Sequence, residues 1–183
     1  MTAHELILIV DYGSQYTQLI ARRIREQRVF CRIIPPRELS VGSLRKLQPK
    51  GLILSGGPNS VYQPNAPLPS RKIFNQSIPT LGICYGMQAM AHLLGGQVRR
   101  AGKREYGRAL LTVRQSDGLF AGTKGEFVSW MSHGDSVKRV PSGFSSARAP
   151  AIRRPRPWPT PPAASMVFSF IRRLSTRRKA RAS

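Results

Sequence analysis

Hydrophobic and polar positions follow two alternating periods through the first 95 residues. Leu6-Ile7-Leu8-Ile9-Val10 is an unbroken apolar run that stops at Asp11, the pattern of a strand buried on both faces of a parallel sheet. From Gly13 to Gln27, Tyr16, Leu19, Ile20 and Ile24 recur at helical spacing, with Arg22, Arg23 and Arg25 on the other faces, which predicts an amphipathic helix. Val29–Ile34 reads as a second strand and Gly51–Leu54 as a third, running into Ser55-Gly56-Gly57-Pro58. Residues 68–77 read as helical, Ile78–Leu81 as a strand and Ala89–Leu94 as a helix. After Gly96 the pattern changes to shorter strands near Ala109–Val113 and Glu126–Trp130. Strands that alternate with helices predict an α/β fold, an open and mostly parallel twisted sheet flanked by helices.

In such a sheet the loops after the strand C-termini build the site. Asp11-Tyr12-Gly13, Ser55-Gly56-Gly57-Pro58 and Gly82-Ile83-Cys84 all fall there. The heptapeptide Gly82-Ile83-Cys84-Tyr85-Gly86-Met87-Gln88 lies between a strand and a helix, the setting of a nucleophile elbow. Its glycines, Gly82 and Gly86, allow a tight turn and close backbone approach. A helix N-terminus behind the turn favours a thiolate and offers unpaired N–H groups to an anion. A lone cysteine is more often an inert core residue, but the flanking glycines and the strand-to-helix context make Cys84 the candidate nucleophile. Cys31, inside a strand, reads as core. His92, on an apolar helix, reads as structural. Gly56-Gly57 is either an ordinary turn or an oxyanion loop, and its place after a strand favours the second.

At 183 residues with 40% hydrophobic content the chain can build one domain with a core. No apolar run approaches the roughly 20 residues of a membrane span, and the N-terminus lacks a secretory pattern. Two cysteines are too few for a disulfide framework, so a reducing, cytoplasmic setting is the simplest expectation. The net charge of +22 is unevenly placed: residues 143–183 hold ten of the 30 Lys and Arg and no Asp or Glu. Ala147–Pro157 is an Ala/Pro/Arg stretch with no apolar period, and Met166–Ile171 is apolar but short. The expected organisation is therefore a domain over residues 1–144, incomplete, followed by a disordered basic tail over 145–183. One reading of that tail is an electrostatic nucleic-acid arm. Its aromatics are few, Trp158, Phe168 and Phe170, and its only lysine is Lys179.

Four segments together carry a family resemblance. Asp11-Tyr12-Gly13-Ser14-Gln15-Tyr16, Leu54-Ser55-Gly56-Gly57-Pro58, Gly82–Gln88 and Trp130-Met131-Ser132-His133-Gly134-Asp135 resemble the triad-type (class I) glutamine amidotransferase domain of GMP synthases, over roughly residues 5–144. The resemblance implies a flavodoxin-like α/β sheet and a glutaminase serving purine biosynthesis. Cys84 would attack the side-chain amide of glutamine, ammonia would leave from a thioester, and water would release glutamate. Backbone N–H groups of Gly57 and Tyr85 would hold the oxyanion, an effect often worth about 2.7–4 kcal/mol. Gln88, Ser132, His133, Gly134 and Asp135 would hold the glutamine, and Lys103–Gly107 would lie near the rim. His133 could be taken for a general base, but its Ser-His-Gly-Asp setting matches the substrate segment. The glutaminase needs no cofactor and no metal. The partner implied is a synthetase (ATP pyrophosphatase) domain or subunit, outside this chain, that uses ATP and Mg to aminate XMP to GMP. Membrane and nucleic acid are not implied as partners. Amidotransferases of the anthranilate or carbamoyl-phosphate type are the rival reading, and Asp11–Gln15 and Met131–Asp135 argue against it.

The family also needs a His base and a Glu that orients it, from a downstream segment of the type Gly-Val-Gln-Phe-His-Pro-Glu. This chain has only His4, His92 and His133 and no acid after Asp135, so neither triad partner is present and activity is expected to be very weak. The genetic code offers a reason. Met166–Arg173 is compatible with ATG GTG TTC AGT TTC ATC CGG AGG, and reading from the third base gives Gly-Val-Gln-Phe-His-Pro-Glu. In that frame Trp158–Ser165 permits Met-Ala-Asp-Pro-Ala-Arg-Arg-Leu-Tyr upstream, and Leu174–Lys179 permits Val-Val-His-Thr-Pro-Glu downstream. The expectation is a frame lost between about Val140 and Pro150.

Overall fold

The computed structural model describes residues 5–112 and 126–142, with side chains described over 5–100 and 135–142. The tail assigned to residues 145–183, with Met166–Ile171 in it, lies outside the described residues. Four strands, β1 (Leu6–Val10), β2 (Phe30–Ile34), β3 (Gly51–Leu54) and β4 (Thr80–Gly82), form one sheet in the order β2-β1-β3-β4. Every pairing in it is parallel, with Ile9 opposite Ile33 and Ile53, and Leu54 opposite Gly82. Helices α1 (Thr17–Glu26), α2 (Val41–Leu47) and α3 (Tyr85–Leu93) connect or follow the strands. The expected flanked parallel sheet is what the chain forms.

Alternate residues of the strands feed two apolar layers, as the two-residue repeat of a strand requires. Leu8, Val10, Leu52 and Leu54 pack with Leu44 of α2, Met87 and Met90 of α3, and Ile73 and Phe74. On the other face Ile9 and Cys31 pack with Ala21, Ile20 and Ile24 of α1. Cys31 is therefore core, its thiol donating to Ala21 O at 3.5 Å. Helix α1 covers only part of that face. An apolar groove of about 360 Å³ lined by Ile7, Ile24, Ile53, Pro79 and Leu81 lies beside it. The outer side of α1 carries Arg22 and Arg23 paired with Glu26 at 3.2 and 2.9 Å; exposed pairs of this kind contribute about 0.3–0.5 kcal/mol each.

Helix α2 was not legible from apolar period alone. It is set by a capping box in which the Ser43 N–H donates to Ser40 Oγ at 3.0 Å and the Ser40 N–H donates to Ser43 Oγ at 2.9 Å, a reciprocal satisfaction of two orphan donors. Residues 68–77 do not form the expected helix. Only a 3-10 turn, Arg71–Asn75, forms there, started by Ser70, because Pro67 and Pro69 deny the segment an earlier first turn.

After α3 the chain leaves the parallel sheet for an antiparallel ribbon of β5 (Gln97–Thr112) and β6 (Glu126–Arg139). Both strands are longer than the short segments expected near Ala109–Val113 and Glu126–Trp130. The hydrophobic signal marked only one end of each, and cross-strand pairing extends them through polar sequence. Val98 and Val137 seat the base of the ribbon on the α3 side of the core.

Candidate active site

Three loops meet at the C-terminal edge of the parallel sheet. The first leaves β1. Asp11 Oδ1 accepts from the Gly13 N–H at 2.9 Å and from Thr17 Oγ1 at 2.7 Å, which ties the start of α1 to the end of β1. The second leaves β3. Ser55 is fully buried, its Oγ accepting from the Tyr12 N–H at 3.0 Å and donating to Gly56 O at 2.9 Å. One hydroxyl thus locks the first loop to the second. The third leaves β4 and contains Cys84.

Cys84 has φ 48° and ψ −108° and stands as the N-cap of α3. A non-glycine residue held there stores roughly 1–3 kcal/mol of strain, persisting only where the surroundings fix it. They do so by backbone hydrogen bonds: Ile83 N–H to Leu54 O at 2.9 Å, Gly86 N–H to Ser55 O at 3.0 Å and to Ile83 O at 2.9 Å, and Gln88 N–H to Cys84 O at 3.0 Å. The two glycines of the elbow are steric necessities. A Cβ on Gly82 would stand 2.7 Å from the backbone of Met87, and one on Gly86 would stand 2.2 Å from Leu54 O.

The Gly56-Gly57 loop lies against Cys84: a Cβ on Gly56 would reach 3.5 Å from Cys84 Cβ and 3.4 Å from Ser14 Oγ. Gly57 is pressed on Tyr12, with only 2.4 Å between such a Cβ and Tyr12 O. Tyr85 opens α3, so its N–H has no carbonyl one turn back to pair with and sits at the positive end of the helix. Tyr85 thus follows Cys84 directly at the start of α3, and Gly57 lies next to Gly56, against Tyr12.

The Tyr85 ring packs on Tyr12 with centroids 5.1 Å apart and a 56° tilt. Both phenol oxygens are buried without a hydrogen-bond partner among the described residues. Burial pushes Tyr85 up to about 12. Burial, with a smaller contribution from Tyr85, pushes Tyr12 well above the usual phenol range. Both rings are neutral floor for the site.

Gln88 is buried, and its Nε2 donates to Asp135 O at 3.0 Å. Asp135 is also buried, and its Oδ2 accepts from Ser60 Oγ at 2.5 Å. The strand β6 carries Ser132, His133 and Gly134, with His133 opposite Glu105 and Ser132 opposite Tyr106 in the ladder. The side chains of these three, and of Lys103–Gly107, lie outside the described residues. So the elbow brings together Cys84, Tyr85 and Gln88, with Gly56 against Cys84 and Asp135 held through Gln88. His92 is on the far part of α3, its ring edge-on to Tyr62 at 5.5 Å, a structural contact. Sequence reasoning gave Ser14 only as part of a motif and missed Ser60 and Tyr62. The only signal for Ser60 and Tyr62 was that they follow the Gly-Gly-Pro loop two residues apart.

Comparison with known proteins points the same way. The sequence profile described as "Glutamine amidotransferase class-I" matches residues 8–151. The GMP synthase (glutamine-hydrolyzing) of Heliobacterium modesticaldum is 53% identical over 141 residues, covering 77% of this chain and 27% of that protein. That of Staphylococcus aureus is 53% identical over 140 residues, covering 76% and 27%. The chain thus spans little more than a quarter of the length of the curated relatives it matches. Among solved structures, a candidate GMP synthase subunit of Thermoplasma acidophilum superposes with TM-score 0.64 at 28% identity, covering 79% of this chain and 72% of that one. A glutamine amidotransferase of Thermotoga maritima superposes with TM-score 0.58 at 20% identity, covering 79% and 66%, a likeness of fold.

Proposed function

Because the chain belongs to the class-I glutamine amidotransferase family, we propose that it is the glutaminase part of a GMP synthase, with Cys84 as nucleophile. The observation that carries the reading is the strained Cys84 backbone between Gly82 and Gly86, set against the Gly56-Gly57 loop. In the proposed reaction the Cys84 sulfur adds to the side-chain amide carbon of glutamine. Negative charge collects on the amide oxygen, where the Gly57 and Tyr85 N–H groups receive it. The carbon–nitrogen bond then breaks, and the NH2 group leaves as ammonia, carrying the proton given up by the thiol. Water adds to the thioester, giving glutamate and the thiol. Gln88 and residues 132–135 hold the substrate. A synthetase partner, using ATP and Mg, takes the ammonia to XMP. The setting is the cytoplasm.

The proton transfers need a base, and neither His92 nor His133 fills that role in the reading. His92 is engaged with Tyr62, and His133 belongs to the substrate segment. We propose that residues from about Val140–Pro150 onward are translated out of frame and that the His and Glu of the triad are encoded one frame away. Three things support this: the recovered Gly-Val-Gln-Phe-His-Pro-Glu reading, the acid-free Ala/Pro/Arg composition of residues 145–183, and a family match that ends at residue 151. The nucleotide sequence over codons 140–150 tests the frame. A single-base insertion or deletion there supports it, and an intact frame with no such lesion refutes it. A diazoketone built on the glutamine backbone tests the site. It should alkylate Cys84 and be blocked by glutamine but not by asparagine; equal blocking by both would remove the glutamine assignment.

A further inference from the structure

We propose that Ser60 and Tyr62 are positioning residues for glutamine recognition, tying the loop after β3 to both strands of the ribbon and so holding residues 132–135 against the elbow. The proposal rests on the reading of residues 132–135 as the glutamine-holding segment. The ribbon alone does not fix that segment. Its ladder runs from Thr112 opposite Glu126 to Glu105 opposite His133, then breaks, and resumes only at Arg100 opposite Asp135. Residues 101–104 of β5 thus face Gly134 alone, an irregularity at which ladder pairing gives no register.

Asp135, at the far side of that break, is held from outside the ribbon. Its carboxylate takes the Ser60 hydroxyl at 2.5 Å and its carbonyl takes the Gln88 amide at 3.0 Å. A buried carboxylate deprived of its donor must find another or turn to water, and turning Asp135 would carry Gly134 and His133 with it. Ser60 is itself fixed: its N–H donates to Gln63 Oε1 at 3.0 Å, and its Oγ accepts from the Tyr62 N–H at 3.3 Å. It lies three residues after Gly57, so the oxyanion loop and the substrate segment share one anchor. Tyr62 anchors the other strand, its hydroxyl donating to Val98 O on β5 and its ring resting edge-on against His92 of α3. The two hydroxyls thus grip β6 and β5 from one short loop.

The test uses the full 183-residue chain and reads alkylation of Cys84 by iodoacetamide, site-resolved by mass spectrometry, with glutamine as competitor. Glutamine should slow alkylation of the unmodified chain. Ser60→Ala and Tyr62→Phe should each raise the glutamine needed for half protection by about fivefold, the scale of one net hydrogen bond. The alkylation rate without glutamine should not change. Ser60→Thr, which keeps the hydroxyl, should restore protection to within about twofold by the same measure. Should Ser60→Ala fail to fold, Tyr62→Phe decides, because Tyr62 is 45% exposed and keeps its ring. Unchanged protection in the variants overturns the positioning role. An absence of protection in the unmodified chain overturns the glutamine reading and the positioning role with it.

Discussion

Gly86 and Leu54 meet backbone to backbone, with 2.2 Å between the Leu54 carbonyl oxygen and the place a Cβ on Gly86 would occupy. The contact brings β3 and α3 together beneath Cys84, and the adjacent Gly86 N–H to Ser55 O bond at 3.0 Å closes it. Gly86→Ala must push the helix off the strand. Overpacking of this kind costs about 1–3 kcal/mol, occasionally more, so the urea midpoint should fall clearly. The rate at which iodoacetamide alkylates Cys84 should change as well. An unchanged midpoint would mean that the elbow is looser than described.

Cys84 itself should reveal the strain in its backbone. At φ 48° a side chain with a Cβ is disfavoured by roughly 1–2 kcal/mol, and glycine is not. Cys84→Gly should therefore melt above Cys84→Ala, by about 1 kcal/mol after glycine's greater flexibility in the unfolded chain is allowed for. The reverse order in denaturant titrations would show that the elbow is unstrained.

The tyrosine pair predicts a pH response. Tyr85 is pushed up to about 12 and Tyr12 is raised as well, whereas the unfolded chain ionises its phenols near 10. The folded state then holds protons that the unfolded state releases, so the stability from burying neutral rings is fully present below about pH 10 and declines as pH rises toward 12. Difference absorbance at 295 nm should show Tyr85→Phe removing amplitude near pH 12 and not near pH 10. Loss of amplitude near pH 10 would place the Tyr85 hydroxyl in water.

Much of this architecture was legible because its signals are local. The run Leu6–Val10, the run Gly51–Leu54 and the Gly-x-Cys-x-Gly turn each carry their period or turn chemistry within a few residues, and each stands where the pattern put it. Helix α2 escaped because its seven residues span only two turns and bury one side chain fully, Leu44; its serine box, not its apolar period, starts it. The 3-10 turn at Arg71–Asn75 was read as a longer helix because Ile73 and Phe74 suggest a buried face, while the prolines before it limit the turn. Ser60 and Tyr62 escaped for a different reason. Their partners Asp135 and Val98 are far along the chain, and no local pattern encodes which carbonyl or carboxylate a hydroxyl will meet.

On the proposed reading Cys84 stands in a glutaminase elbow whose base is encoded one frame away. The direct measurement is glutamate release from glutamine by two purified proteins, the 183-residue chain and the product of the gene with one base inserted or deleted within codons 140–150. The frame-restored protein should hydrolyse glutamine in a manner abolished by Cys84→Ala, and the 183-residue chain should be slower by about 10²–10⁴, the usual contribution of a positioned base. Equal, Cys84-dependent hydrolysis by both proteins would mean that the 183-residue chain has a working base.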